Sequence, residues 1–192
     1  MEKLSVKDLV TVGVFTVVYF IVFFASAMTG MVPIMAVFYP VLIAAIAGIP
    51  CVLFFTKVEH FGMITIMSTL TGLLICLMGY GYYGIFTGII LGLVADLVMK
   101  SGNYKSFSKM VIGYAIFSVW VMGTQLPMFL SVKSYAEPFR DSQGDAFVDS
   151  LEALVSWNMC AVVLVATVVA AVLGAFLGKV VLKKHFVRAG IA

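Results

Sequence analysis

Charged residues are scarce in this chain, and they are almost absent from its long apolar runs. Only 11% of the residues are charged, whereas 63% are hydrophobic and the mean hydropathy is +1.15. A soluble globular protein needs a largely polar surface, so this composition excludes that class. The sequence therefore predicts a multi-pass integral protein of the plasma membrane.

Residues that commonly carry catalysis or bind metals are also rare. The two histidines, His60 and His185, have no H-E-x-x-H pattern or acid pair around them. The three cysteines lie in apolar runs without CxxC spacing, which is typical of packing residues. We expect no enzymatic activity, no metal site and no resident cofactor. A membrane enzyme that uses His60 or Asp96 is the least favoured hypothesis.

Two further absences narrow the classes of transporter. The chain has no P-loop, so any use of ATP must come from another chain. The middles of its apolar runs contain no ionisable residue, although proton- or ion-coupled carriers place such residues there. A self-sufficient pump or secondary transporter is therefore disfavoured.

Six apolar blocks are each long enough to cross the membrane as a helix, which takes about 20 residues. They leave no room for a second soluble domain, so we predict one transmembrane domain, 1–192, folded as an all-α six-helix bundle. The expected N-cap of the first helix is Asp8, and Pro40 and Pro50 predict that the second is kinked or that it starts as an irregular segment before Pro40. The predicted helices are approximately 8–28, 34–56, 62–78, 82–99, 109–130 and 153–182.

Basic residues collect on alternate borders of these blocks. Ten of the twelve fall on one side: Lys3, Lys7, Lys57, Lys100, Lys105, Lys109, Lys179, Lys183, Lys184 and Arg188. The other side has Lys133 and Arg140, in a polar loop over 133–152. The positive-inside rule then predicts that both termini are cytoplasmic and that this loop is outside. Orientation and contact with lipid headgroups explain the basic residues, so we expect no nucleic-acid partner.

Small residues repeat at helical spacing in two blocks. The fourth contains Gly84, Gly88 and Gly92, and the sixth has a similar stripe from Ala166 to Gly178. Small residues let helices approach closely in lipid, so these stripes indicate helix contacts, either inside the bundle or with another subunit. At the inner end of the fourth block, the Asp96–Lys100 spacing favours a local ion pair, and a contact with a cytoplasmic partner is the alternative.

Methionine and aromatic side chains concentrate in the outer halves of the blocks. Thioethers and aromatic faces suit a pocket for a largely apolar ligand, with an aromatic belt and ordinary packing as the alternative. Gln125 and Asn158 would orient the ligand's polar groups, although Gln125 would equally satisfy carbonyls freed by Pro127. The predicted substrate-binding residues are Met31, Met35, Tyr80, Tyr83, Gln125, Met128, Trp157 and Asn158.

One known family combines these features. The chain resembles MptD-type S components of energy-coupling-factor (ECF) transporters in its length, its six spans and Asp8-Leu9 at the first span. The most specific match is the run from Gly84 to Leu97, with Gly88, Gly92 and Asp96, followed by Gly102-Asn103-Tyr104-Lys105-Ser106.

The resemblance implies a substrate-binding subunit that captures a micronutrient outside and associates with a T component and two cytoplasmic ATPases. It implies a pocket built from the outer parts of the later spans and the first outer loop. The ligand expected is a hydrophobic vitamin or cofactor. Haem or another tetrapyrrole is one option, with Lys133 or Arg140 meeting its carboxylates, and a flavin-like or other vitamin that uses the aromatic walls is the other. The alternative is an autonomous facilitator or channel assembled through the glycine-rich helix faces.

Docking of the T component is less clearly indicated. Many S components use an alanine-rich face of the first span, but here that span offers Gly13 before a bulky stretch from Val17 to Phe24. The predicted docking residues are Gly13, Gly84, Gly88, Gly92 and Asp96.

Overall fold

Long apolar helices make up most of the computed structural model, which describes residues 4–186. Within that range, five helical segments are long and apolar enough to cross a membrane, and a bent pair of helices adds a sixth. The predicted all-α membrane architecture is confirmed, whereas the cytoplasmic location of the termini stays a prediction. Lys3 and Arg188, which contribute to the predicted charge asymmetry, lie outside the described residues.

The helices follow one another with short connections. They are α1 (Val6–Ala27), α2 (Pro33–Ile46), α3 (Gly48–Lys57), α4 (Met63–Ile75), α5 (Tyr83–Lys100), α6 (Phe107–Ser118), α7 (Met122–Leu130), α8 (Val132–Ala136), α9 (Arg140–Gln143), α10 (Asp145–Leu154) and α11 (Trp157–Val181). Short 3-10 turns follow α1, join α6 to α7 and precede α9, and π-helical turns follow α4 and α11.

The chain turns at two ends of the bundle. The basic end contains the start of α1, the α3–α4 and α5–α6 connections and the end of α11. There the Lys179 ammonium lies 3.9 Å from the centre of the Phe107 ring. The loop end contains the α1–α2 and α4–α5 connections and the segment 131–156, which we call the cap.

α1 begins with a capping box at the basic end. The Ser5 backbone N–H donates to Asp8 Oδ2 at 2.7 Å, and the Asp8 N–H donates to Ser5 Oγ at 3.2 Å. Ser5 is therefore the N-cap, and the expectation that Asp8 would be the cap is wrong by three residues. The two residues satisfy each other's backbone groups, as this motif requires.

The second span bends where α2 meets α3. The two helix axes differ by 46°. The proline ring of Pro50 cannot donate to the Ile46 carbonyl and crowds it, so α2 ends at Ile46. Pro40 lies inside α2 without ending it. The predicted kink is confirmed, and Pro50 rather than Pro40 explains its position.

The glycine stripe of α11 packs directly on this bend. A Cβ added to Gly174 would lie 2.6 Å from the Ala44 carbonyl oxygen, and one added to Gly178 would lie 2.6 Å from the Gly48 oxygen. Only glycine permits such a close backbone approach. The Tyr114 hydroxyl donates to the Ala44 carbonyl at 2.7 Å, so α6 also contacts the bend.

The cap is helical rather than an extended polar loop. Its buried residues Ala136, Val148 and Leu151 pack with Val37 and Met128 of the bundle. α10 ends at Leu154, and Ser156 caps α11 by accepting a hydrogen bond from the Met159 N–H at 3.1 Å. The prediction of one helix over 153–182 is therefore wrong at its start.

Candidate functional site

A cavity of about 650 Å³ lies at the loop end, between the cap and the bundle. The α1–α2 region contributes Ala27, Met28, Gly30, Met31, Ala36 and Tyr39. The turn after α4 contributes Met78, Gly79, Tyr80 and Gly81. The end of α7 and the cap contribute Pro127, Tyr135, Phe139, Gln143, Phe147 and Leu151. The cavity is therefore shared by sequence-distant segments.

The turn after α4 depends on two glycines in left-handed conformations. Gly79 has φ +95° and Gly81 has φ +79°, values that other residues rarely adopt. The turn places Tyr80 between them in the cavity wall, where its ring packs edge-to-face on Phe23 with centroids 6.1 Å apart. The Gly-Tyr-Gly sequence thus sets the position of one aromatic wall.

The α2 wall is held by side chains from α7. The Tyr39 and Thr124 hydroxyl oxygens lie 2.6 Å apart and share a hydrogen bond. Gln125 Nε2 donates to the carbonyl oxygens of Ala36 at 2.9 Å and Val37 at 3.0 Å. In a regular helix the Ala36 carbonyl would accept from residue 40, but Pro40 has no N–H. Gln125 therefore supplies the hydrogen bond that Pro40 cannot.

The cap wall is aromatic on its inner side and ionic around Arg140. Tyr135 and Phe139 have ring centroids 5.6 Å apart, and burial raises the pKa of the Tyr135 hydroxyl, with a further contribution from Tyr80. The Arg140 guanidinium donates to Asp145 Oδ1 at 2.5 Å and to Glu137 Oε2 at 3.3 Å. These hydrogen bonds raise the pKa of Arg140, which stays charged and ties α9 to its neighbours.

Within the described residues, the cavity lining has no charged side chain. Its chemistry comes from three thioethers, five aromatic rings and the amide of Gln143. Such a surface offers dispersion contacts and a few neutral hydrogen bonds. The volume falls within the roughly 300–1,000 Å³ typical of small-molecule sites.

Comparison with known proteins identifies the family. A family model described as a hypothetical bacterial integral membrane protein (Trep_Strep) matches residues 6–188. The chain belongs to the Trep_Strep family. No match was found among curated proteins or among solved structures. Together with its apolar helices, this family assignment makes the chain a multi-pass protein of a bacterial membrane.

Two of the eight predicted substrate-binding residues of this Trep_Strep chain, Met31 and Tyr80, line the cavity. The other six do not line it, so the structure does not bring the eight predicted side chains together in this cavity, and their role in substrate binding stays a prediction. Gln125 and Met128 are buried in helix contacts behind the wall. Met35 and Tyr83 lie outside the lining.

Trp157 and Asn158 are exposed for a local reason. Ser156 caps α11 and so fixes both residues in its first turn. The side chain of Trp157 is 61% exposed, and Asn158 is also exposed. Neither lines the cavity.

The residues that sequence reasoning missed are mainly in the cap. Phe147 and Leu151 are four residues apart within α10 and so lie on one helix face, and Tyr135 and Phe139 have the same spacing across α8 and the 3-10 turn that follows it. This spacing is visible in the sequence. The acidic residues between the pairs led us to predict a solvated loop instead.

The predicted docking glycines of α5 are covered by this chain's own helices. A Cβ on Gly88 would lie 3.0 Å from the Ser68 carbonyl oxygen, and one on Gly84 would lie 2.9 Å from the Thr124 methyl group. Gly92 packs more closely still, since an added Cβ would overlap the Ser68 hydroxyl oxygen. These three positions are not available to another subunit in this structure. Gly13 differs, because an added Cβ there would meet nothing within 4 Å.

Asp96 is fully buried and caps a neighbouring helix. Its Oδ2 accepts hydrogen bonds from the Thr65 N–H at 2.8 Å and the Thr65 hydroxyl at 2.5 Å, at the start of α4. Gly62, the N-cap of α4, has no side chain to do this. Asp96 therefore does not form the predicted ion pair with Lys100, and its buried side chain does not lie on a surface where the predicted docking contact could form. The Lys100 ammonium lies 5.6 Å from the centre of the Phe61 ring.

Proposed function

We propose that this Trep_Strep chain is the substrate-binding subunit of an ATP-driven ECF-type importer. In this proposal the loop-end cavity binds a hydrophobic vitamin or cofactor, a class that includes haem and other tetrapyrroles. The observation that supports it most is the cavity of about 650 Å³, which is lined by methionine and aromatic residues and covered by the cap. With the loop end outside, as the charge asymmetry predicts, the ligand would enter from the outer face.

The proposed partners are a T component and two cytoplasmic ATPases, because the sequence has no ATP-binding motif of its own. The face of α1 is the proposed contact for the T component. Gly13 lies in it with open space beside it, and large apolar side chains surround it: Leu9, Val10, Val14, Val17 and Ile21 are each at least 49% exposed. The same face would otherwise contact lipid.

Binding rather than catalysis is part of the proposal. The membrane-enzyme hypothesis would use His60 or Asp96. The His60 Nδ1 atom lies 3.0 Å from Asp8 Oδ2 at the basic end, and Asp96 caps α4. Both side chains are thus engaged with the protein and are remote from the cavity lining.

Affinity purification from the native host tests the proposed partners. A tagged chain should recover a T component and two ATPases from mild-detergent extracts, and a Gly13→Leu variant should recover less of them because it fills the open space on α1. Gly144→Leu is not a suitable control, because Gly144 has a positive φ and a leucine there would strain the backbone. Ala161→Leu, at an exposed position of α11, is the matched control and should recover them normally. Absence of all three partners, with uptake unaffected by their deletion, would refute the proposal.

The alternative function is an autonomous facilitator or channel assembled through the glycine faces. Gly84, Gly88 and Gly92 already contact this chain's own helices, so that assembly would need a different surface. It remains testable because it predicts flux through the chain alone.

A further inference from the structure

The charged residues around the cavity are not placed to bind an anion. None of the described residues that line it is charged. Arg140 of the cap directly follows Phe139 in the sequence, but its guanidinium donates hydrogen bonds to Glu137 and Asp145. The cap as a whole has five carboxylates and only two basic side chains, Lys133 and Arg140.

An ionic group of either sign inside this cavity would find no opposite charge among the described lining residues. Removing a carboxylate or phosphate from water without a partner is strongly unfavourable. The acidic cap also lowers the local concentration of anions at the loop end. The part of the ligand that enters the cavity must therefore be uncharged.

The cavity nevertheless offers neutral hydrogen-bonding groups. Among residues 4–186, no protein group hydrogen bonds to the hydroxyls of Tyr80 or Tyr135, although both residues line the cavity. The hydroxyl of Tyr39, by contrast, is engaged with Thr124. A tyrosine hydroxyl can donate or accept, so the first two can bind ring nitrogens, carbonyls or hydroxyls of a ligand.

We propose that the cavity recognises an uncharged ring system, which the Tyr80 and Tyr135 hydroxyls hydrogen bond, and that charged substituents of the ligand stay outside without an ion pair to the protein. This inference rests on the proposed function only in taking the cavity as the substrate site. It assigns polar recognition to Tyr80 and Tyr135. It also excludes Arg140, which Glu137 and Asp145 engage, as the partner for ligand carboxylates that the sequence had led us to expect. Lys133, the other expected partner, does not line the cavity.

Matched pairs of probes test this directly on the purified chain in lipid nanodiscs. The first pair is protoporphyrin IX and its dimethyl ester, and the second is riboflavin and flavin mononucleotide. Each pair shares one ring system and differs in negative charge. Probe fluorescence, corrected with empty nanodiscs, gives the Kd. We expect at least one pair to bind, with the uncharged member binding at least as tightly as its anionic partner in every pair that binds.

Tyr135→Phe should weaken binding of the uncharged probe by about 3- to 10-fold, because a neutral hydrogen bond is lost. Tyr83→Phe is the matched control, since Tyr83 lies outside the lining, and it should change the Kd by less than about 2-fold. Thermal unfolding of both variants shows whether they are folded. If Tyr135→Phe does not fold, Tyr80→Phe takes its place with the same expectation.

The proposal is overturned if the anionic member of a pair binds more tightly, if neither pair binds, or if the tyrosine variant binds like the control. The assay uses the chain alone. Its failure therefore leaves the proposed dependence on a T component and ATPases standing, and a failure to recover those partners leaves the binding result standing.

Discussion

Gln125 provides the sharpest test of how the cavity wall is built. We predict that Gln125→Leu, which keeps the side chain's size but removes its amide, destabilises the protein by about 1–3 kcal/mol. That is the usual cost of leaving a buried polar group without its partner. Here the group is the Ala36 carbonyl, which Gln125 Nε2 contacts at 2.9 Å and which Pro40 cannot satisfy.

The role of Pro40 makes the prediction specific. Pro40→Ala restores a backbone N–H that can donate to the Ala36 carbonyl. In the Pro40→Ala background, Gln125→Leu should therefore cost about 1 kcal/mol less, since the two residues act on one shared group. Gln143→Leu, at the exposed second glutamine, is the control and should change stability by no more than about 0.5 kcal/mol.

The assay is equilibrium unfolding of the purified variants in mixed detergent micelles, with circular dichroism as the readout of unfolding. The double-mutant cycle gives the coupling free energy between positions 40 and 125. An equal cost of Gln125→Leu with proline or alanine at position 40 would refute the assigned role. So would a cost no larger than that of the Gln143 control.

The same unfolding assay checks two further predictions. Gly174→Ala should destabilise by about 1–3 kcal/mol, because its Cβ would overlap the Ala44 carbonyl, whereas Gly13→Ala should stay within about 0.5 kcal/mol. Equal effects of the two would show that α11 does not pack this closely. Asp96→Ala should cost about 1–2 kcal/mol through loss of the α4 cap, and Lys100→Ala much less. Similar losses for both would instead indicate the Asp96–Lys100 ion pair.

The spans were predictable because their physical signal is local. Apolar runs bounded by a turn at one end and by charge at the other gave the ends of α5 within one residue and those of α2 and α3 together within one residue. The length of such a run is set by the thickness of the membrane and the rise per residue of a helix. The start of α11 failed because a single cap at Ser156 interrupts the apolar block, and the hydrophobic pattern does not record it.

Pairing between distant residues was not predictable in the same way. The sequence offered two roles for Gln125, orienting a ligand or satisfying carbonyls freed by a proline, and the structure shows the second chemistry. The proline, however, is Pro40 rather than the neighbouring Pro127. Positions 36 and 125 meet only because α2 packs beside α7, and nothing in the local sequence specifies that contact. The site residues of the cap were missed for a different reason: their four-residue spacing is visible in the sequence, but the acidic residues between them indicated a loop.

Transport by reconstituted proteoliposomes tests the central claim most directly. The measurement is accumulation of the small molecule released from the purified chain, identified by mass spectrometry, in liposomes with the chain alone or with the host's T component and two ATPases. We predict ATP-dependent accumulation with all components and none with the chain alone. Flux through the chain alone, independent of ATP, would contradict a substrate-binding subunit and would support the autonomous facilitator instead.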